Sequence, residues 1–351
     1  MKVGQAGRQS QNSEDRKRIL KDIIKVVFPV GVSVWMILWF FGKIDVAKMD
    51  RIISGECNFW WIGLMMVISV MSHIIRGVRW GIQLRGAGLP RVSVMTESLS
   101  IFGAYALNLI FPLLGETWRC VFMAREEKSK MSTVVGTDLG DRFSDAVVII
   151  VLCILAMIVA RDSMIRFIDH YRFGERLLAF MADPWIWGSV FGVVIVLGLM
   201  FYLCRQRTYV VRLVDVIREL WRSFAVMFRM KGRGMYLVLT LGIWICYYLE
   251  IYVCFFAFPF TRELISDPST FYGLIPCLVT FVFGSASIAI PSTGGLGPWN
   301  IAVAYSLMLY GIGETDGAAY AMVVWGFRSA MLVVLGLFTA GWIFLHRQNN
   351  R

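Results

Sequence analysis

Long apolar runs separated by short polar segments dominate the pattern along this chain. A run of about 18 or more apolar residues can cross the hydrocarbon core of a bilayer as a helix. The runs are continuous and do not alternate, which favours helices over the strands of a membrane barrel. Six runs carry no charge and two carry one charge each: 26–42, 57–75, 98–115, 146–160, 184–204, 268–313, 234–261 with Glu250, and 317–345 with Arg328.

This pattern predicts an all-α fold, a polytopic membrane helix bundle with six to eight spans. Residues 26–345 are expected to form a single transmembrane domain. The first run follows about 25 polar residues and precedes no cleavage site of the A-x-A type, so we expect a retained helix and not a signal peptide.

The loop charges predict which segments are cytoplasmic. Residues 1–25 carry seven Lys and Arg, and 205–234 carry eight, so both should lie inside, as should the tail 346–351. The expected location is therefore the cytoplasmic membrane, with both termini inside. Apolar residues recur at helical spacing in 210–228, which predicts either a helix resting on the anionic inner leaflet or a connector packed on the bundle.

Two of the apolar runs contain breaks that a continuous membrane helix does not tolerate. The run 98–115 ends in Asn108, Pro112 and Gly115, and basic segments flank it on both sides, which favours a hairpin that enters and leaves from the cytoplasm. The run 268–313 has acidic flanks and a proline- and glycine-rich break at 291–298. Broken segments in corresponding positions of two halves predict an inverted repeat. Eight ordinary spans with one loop are the alternative.

The first break is followed by a candidate anion site. Glu116 and Arg119 are three residues apart and can pair on one helix face. A half-helix that begins here would direct its N-terminal amides into the membrane, where they attract an anion. A snorkelling ion pair at the membrane interface is the simpler interpretation.

A second candidate group precedes the run 146–160. Asp138, Asp141, Arg142 and Asp145 repeat at helical spacing and line one face. They are suited to latch the Arg119 region or to form a path for protons or cations. A capped, solvated start of a helix is the plain alternative.

The second break supplies the remaining candidates. Gly294, Gly295 and Gly297 permit left-handed backbone, and Pro298 suits the first turn of a helix, which places Asn300 at a helix N-terminus. Glu250 and Arg328, each near the middle of a run, are expected to pair across helices or to face a polar cavity.

Several functional classes are disfavoured by the sequence. The net charge of +11 lies in loops, where membrane orientation accounts for it, so we expect no nucleic-acid partner. The seven cysteines form no CxxC pair, and no acid cluster is joined by His or Cys, so we expect no metal and no cofactor. His73 and His346 are expected at the interface, and no hydrolase, dinucleotide or P-loop motif is present.

Taken in order, these motifs resemble one family, the flippase-like transmembrane domain of lysylphosphatidylglycerol synthases and its stand-alone relatives. The resemblance covers most of residues 20–345. Two positions depart from the family pattern. Members of the family often carry an acidic residue where this chain has Asn300, and they commonly carry a Glu-Arg pair where this chain has Asp141-Arg142. The motifs that produce the resemblance are Arg79-Trp80, Asn108, Pro112, Gly115-Glu116, Arg119, Asp141-Arg142, Asp145, Pro291, Gly294-Gly295 and Gly297.

The resemblance implies a translocase, not an enzyme, that moves a phosphate-bearing lipid headgroup between leaflets. The phosphate is expected on the two half-helix N-termini with Arg119 and Arg328 as countercharges, while Glu116, Asp141 and Asn300 contact the headgroup. No soluble segment is long enough for an aminoacyltransferase. The alternatives are a membrane subunit or scaffold for a separate lipid-modifying enzyme and, less favoured, an intramembrane transferase acting on lipid-linked substrates. The expected partners are membrane lipids, with a second copy of the chain or a lipid synthase as the alternatives among protein partners.

Overall fold

The computed structural model describes most of the chain from residue 46 onward. The N-terminal segment 1–25, the run 26–42, most of the run 184–204, Pro291 and the last two residues lie outside the described residues, so predictions made for them stay predictions. The described residues are 46–90, 92–112, 114–163, 165, 183, 184, 188, 191–192, 208–287, 290 and 292–349.

Helices and turns make up all the regular structure of this described part. A π turn at Ile52–Glu56 and 3-10 turns at Pro268–Thr270 and Thr293–Gly295 link some of the helices. The helices are α1 Val46–Arg51, α2 Phe59–Gly86, α3 Val94–Ile110, α4 Leu114–Glu126, α5 Met131–Val159, α6 Thr208–Arg229, α7 Arg233–Phe255, α8 Pro259–Ser266, α9 Leu274–Ser287, α10 Pro298–Met308 and α11 Glu314–Asn349.

Four helices, α2, α5, α7 and α11, are long and apolar enough to cross a membrane. At about 1.5 Å per residue, the 28 residues of α2 extend ~42 Å, more than the ~30 Å hydrocarbon core. Their outer faces are apolar and exposed, as at Ile150, Leu237 and Leu337. The charged side chains of Arg79, Asp141 and Glu250 lie inside the bundle. The prediction of an all-α membrane helix bundle is confirmed.

The α2 and α5 helices extend well beyond the apolar runs that predicted them. Arg76 and Arg79 belong to the basic segment before the run 98–115, which the loop charges predict to be cytoplasmic, but they are buried on α2. His73, expected at the interface, is fully buried as well. The acids at 138–145 lie within α5 and not at a solvated helix start. These expectations are wrong because each helix continues through its charges, which find partners on the other helix.

Both predicted breaks are present, and each connects two short helices that pack against each other as a hairpin. The helix α3 ends at Ile110 and α4 begins at Leu114, and a Cβ on Gly115 would lie 2.0 Å from the Ala104 carbonyl oxygen, so α3 and α4 pack closely. In the second hairpin, Ser306 of α10 lies 3.0 Å from the Thr280 hydroxyl of α9. The 17 residues of α3 span ~25 Å, which is shorter than the hydrocarbon core.

The long helix α11 contacts both hairpins along its length. Near its start Gly317 packs on Ala304 of α10, and further along the Trp325 indole donates to the Gly294 carbonyl at 2.9 Å. Gly336, 11 residues later, packs on Ala106 of α3. The two hairpins therefore lie end to end beside α11, and their tips meet between Trp325 and Gly336.

The amphipathic helix α6 packs against α5. Glu219 accepts a hydrogen bond from the Thr133 hydroxyl at 3.0 Å and lies 3.6 Å from Lys130. Hydrogen bonds from Ser132 and Thr133 lower the pKa of the Glu219 carboxyl. The apolar side chain of Trp221 remains 67% exposed. One face of α6 therefore packs on the bundle, as the connector alternative predicted, while the opposite face is exposed.

Candidate functional site

A network of buried charges joins α2 to α5 inside the bundle. The Arg79 guanidinium lies 2.7 Å from one oxygen of Asp141 and 2.9 Å from Asp145. Arg76 lies 2.8 Å from Asp145 and 3.7 Å from Asp141. Buried charges are stable only when they are paired, and both of these acids of α5 lie between the two arginines of α2.

The helix α4 adds a third arginine to the same network. Arg119 lies 3.2 Å from Asp138 and 3.6 Å from Asp141, so the predicted latch between this arginine and the acids of α5 is observed. Its guanidinium carbon also lies 3.9 Å from the ring centroid of Trp80, a favourable cation–π distance. The expected pairing of Arg119 with Glu116 is wrong, because Arg119 is fully buried among these other partners.

Glu116 belongs to a separate, more open part of the network. It accepts a hydrogen bond from the Asn108 amide at 3.0 Å and pairs with Arg142 of α5. The oxygen of the Asn108 side chain accepts from the Gly115 backbone N–H at 2.9 Å. The Arg142 side chain is 36% exposed and that of Glu116 is 25% exposed, whereas the other members are at most 12% exposed.

Hydroxyl groups of α7 complete the network from a third side. The Tyr247 hydroxyl accepts from Arg76 at 3.1 Å, and Tyr236 donates to Ser144 at 2.8 Å while it accepts from Gln83 at 2.9 Å. The rings of the two tyrosines also lie within 6 Å of the Arg76 and Arg79 guanidinium groups. The α7 helix therefore stabilises the α2–α5 ion pairs by hydrogen bonds and by ring contacts.

The glycine-rich break has the backbone that the sequence predicted. Gly294, Gly295 and Gly297 have φ angles of 57°, 78° and 91°, in the left-handed region that favours glycine. A Cβ on Gly294 would lie 2.6 Å from the side chain of Leu109, at the tip of the other hairpin. Pro298 begins α10, as expected. The left-handed turn thus allows the two tips to come into direct contact.

The side chain of Asn300 is hydrogen-bonded to the start of its own helix and to α11. Its side-chain oxygen accepts from the Gly297 backbone N–H at 3.1 Å, and its amide donates to the Ala321 carbonyl at 3.1 Å. Asn300 is buried. At the start of α4 the Gly115 N–H is therefore already bonded to Asn108, and at the start of α10 the Gly297 N–H is already bonded to Asn300. Fewer backbone donors are left at these two helix starts to bind an anion.

Glu250 and Arg328 are neighbours but do not form an ion pair within 4.0 Å. Glu250 is buried on α7 and accepts a hydrogen bond from Ser72 at 3.3 Å. Arg328 of α11 is half-buried and acts on the Glu250 carboxyl electrostatically from a greater distance. His73 stacks on the Tyr105 ring, with centroids 4.7 Å apart, beside this pair.

Sequence reasoning missed the role of the polar stripe on α2. Within the described residues of this helix, the buried polar side chains recur every three or four positions, which is the signature of one helix face. That spacing identifies a polar inner face, whereas hydropathy alone ends the span at the first charge. The stripe consists of Ser69, Ser72, His73, Arg76, Arg79 and Gln83.

The network is balanced in charge, which limits what it can do. It contains four arginines, on α2, α4 and α5, and four acids, on α4 and α5. An added anion must therefore displace one of the acids from its arginine. Among the described residues, no three His, Cys, Asp or Glu side chains are grouped so that they could hold a metal ion.

Comparisons with known proteins relate this architecture to one family. No curated protein and no solved structure matches the chain. A family model described as "Lysylphosphatidylglycerol synthase TM region" matches residues 26–336, which is most of the chain and includes every residue of the buried network. The protein therefore belongs to the lysylphosphatidylglycerol synthase transmembrane-region family.

Proposed function

We propose that the protein binds a phosphate-bearing lipid and moves its headgroup between the leaflets of the cytoplasmic membrane, as a flippase does, without changing the lipid chemically. The observation that carries the proposal is the contact between the hairpin tips, Leu109 against Gly294. Interrupted helices that meet in the middle of a bundle are typical of transporters built as inverted repeats. We infer that α3–α4 enters the membrane from the cytoplasmic face and α9–α10 from the opposite face.

The polar interior supports the same proposal. Charged side chains within membrane segments are costly, and they usually line a substrate or ion pathway. Here they sit beside the first hairpin tip, because Asn108 and Glu116 flank the break between α3 and α4. A headgroup that crosses the bilayer would thus meet hydrogen-bonding groups where a continuous apolar helix offers none.

The open Glu116–Arg142 pair is the part of the network that we assign to the phosphate. Arg142 is the most exposed arginine of the network, and its partner is a single carboxylate. A guanidinium binds phosphate with the same fork of donors that binds a carboxylate. In the proposed cycle the lipid phosphate replaces Glu116 on Arg142, and the release of Glu116 frees Asn108 and loosens the first hairpin tip.

The proposal is tested with the purified protein in phosphatidylcholine vesicles that contain a trace of phosphatidylglycerol with a fluorophore on one acyl chain. Dithionite added outside bleaches only the outer leaflet unless lipid is exchanged. With the protein we expect nearly all of the fluorescence to be bleached. If bleaching in these vesicles stops at the same level as in protein-free vesicles, the protein does not translocate this lipid.

Substitutions at Arg142 connect the activity to the site. Arg142→Gln removes the charge and is expected to slow exchange ~10- to 150-fold, since a hydrogen bond to a charged group contributes about 1.5–3 kcal/mol. Arg142→Lys keeps the charge and should keep part of the rate. The matched control is Arg85→Gln, because Arg85 is similarly exposed at 35% and pairs with one acid, Glu97, away from the tips. Equal loss in both variants would contradict the assignment to Arg142.

A further inference from the structure

An apolar groove lies between α3 and α11, with Trp118 of α4 at its side, and the buried network does not use it. It encloses about 660 Å³, a volume in the range of lipid- and drug-sized sites. Small residues form its floor, where a Cβ on Gly336 would lie 2.4 Å from the Cβ of Ala106. The one hydroxyl of its lining, on Thr339, donates to the Leu335 carbonyl at 2.9 Å and is therefore already bonded within α11.

The length of the groove matches one leaflet of a bilayer. Along α11 its lining extends from Val333 to Phe344, and the 11 steps between these two residues correspond to ~16 Å at about 1.5 Å per residue. Half of the ~30 Å hydrocarbon core is about 15 Å. At its inner end, Leu109 and Ile110 bring the groove to the tip of the first hairpin. An extended acyl chain therefore fits between the membrane surface and the point where the hairpins meet.

The outer end of the groove has the character of a membrane interface. Trp342 stacks on His346 just beyond it, with ring centroids 6.0 Å apart, and 40% of the tryptophan is exposed. The next residue of α11 is Arg347. Tryptophan is enriched at headgroup level, and basic residues there attract anionic lipids. The charge at this end thus complements a phosphate attached to the chain in the groove.

We propose that this groove holds one acyl chain of an anionic phospholipid, with the phosphate at the level of His346 and the terminal methyl beside Leu109 and Val333. This inference rests on the proposed function and adds to it the place where the lipid is held. In this arrangement the lipid enters the groove from the leaflet that contains the C-terminal end of α11.

The test uses the full chain in nanodiscs of phosphatidylcholine with phosphatidylglycerol that carries a diazirine at the end of one acyl chain. After illumination, mass spectrometry maps the cross-linked peptides, which we expect from α3 and α11. Ala340→Trp fills the groove and should reduce this labelling several-fold. Gly341→Trp is the matched control, because a side chain at Gly341 meets no atom within 4 Å, and it should leave labelling unchanged.

A second measurement needs no variant. Excess unlabelled phosphatidylglycerol should suppress the labelling of α3 and α11, and excess phosphatidylcholine should not. Labelling spread evenly over the outer faces of α5 and α7 would overturn the inference, as would equal suppression by the two lipids.

The inference and the proposed function can fail separately. If the wild-type protein exchanges lipid but gives no cross-link on α3 and α11, the groove does not hold the acyl chain and the inference is wrong, although the protein still acts as a flippase. If the wild-type protein cross-links in the groove and exchanges no lipid, the groove assignment stands and the proposed function is wrong.

Discussion

Neutralising Asp141 should destabilise the bundle far more than neutralising an exposed acid. Asp141 is fully buried and lies within 3.7 Å of three arginines, Arg76, Arg79 and Arg119. The substitution Asp141→Asn leaves four arginines with three acids and therefore one unpaired positive charge in the interior. Breaking a buried pair in this way costs about 3–5 kcal/mol. We expect the upper half of that range, because three contacts are weakened at once.

The free energy of unfolding measured by equilibrium denaturation in SDS micelles tests this prediction. The control is Asp215→Asn, which breaks the exposed Asp215–Arg218 pair at 3.0 Å and should change the free energy by about 1 kcal/mol or less. The double variant Asp141→Leu with Arg79→Met restores the charge balance, so it should regain at least half of the loss. A loss in Asp141→Asn no larger than that in Asp215→Asn would refute the buried network.

Two further substitutions test the hairpin tips. Gly294→Val places a branched side chain at φ 57° and against the leucine of the opposite tip, and it should lower the free energy of unfolding by at least ~1–2 kcal/mol, whereas Gly326→Val, which meets no atom within 4 Å, should not. Asn300→Ala removes the hydrogen bond to the Ala321 carbonyl and the cap of α10, and it should cost about 1–3 kcal/mol and speed hydrogen exchange at the start of α10. An unchanged exchange pattern in Asn300→Ala would contradict the capping role.

The breaks in the two hairpins were predictable because they depend on local chemistry. Pro112 removes a backbone donor, and Gly294 and Gly297 permit left-handed backbone, wherever they occur in a chain. The structure ends α3 at Ile110 and begins α10 at Pro298, as the sequence indicates. The membrane character was equally predictable, since it follows from the length of the apolar runs.

The partners of the buried charges were not predictable in the same way. Arg79 and Asp141 are 62 positions apart, and nothing local to either residue shows that the other compensates its charge. A hydropathy window therefore treats Arg76 and Arg79 as loop residues and ends the helix too early. Only the recurrence of polar residues on one face of α2 carries a signal, and it identifies a polar face without naming its partner.

The most direct test of the account concerns the faces from which the two hairpins enter. Single cysteines at Ser93 and Lys130 flank the first hairpin, and cysteines at Tyr272 and Gly313 flank the second, in a background without the seven native cysteines. A membrane-impermeant maleimide is applied to each face of oriented membrane vesicles. We predict that Ser93→Cys and Lys130→Cys react from the cytoplasmic face, and that Tyr272→Cys and Gly313→Cys react from the other. If the two members of either pair react from opposite faces, that hairpin is a crossing, and the proposed meeting of two re-entrant tips is wrong.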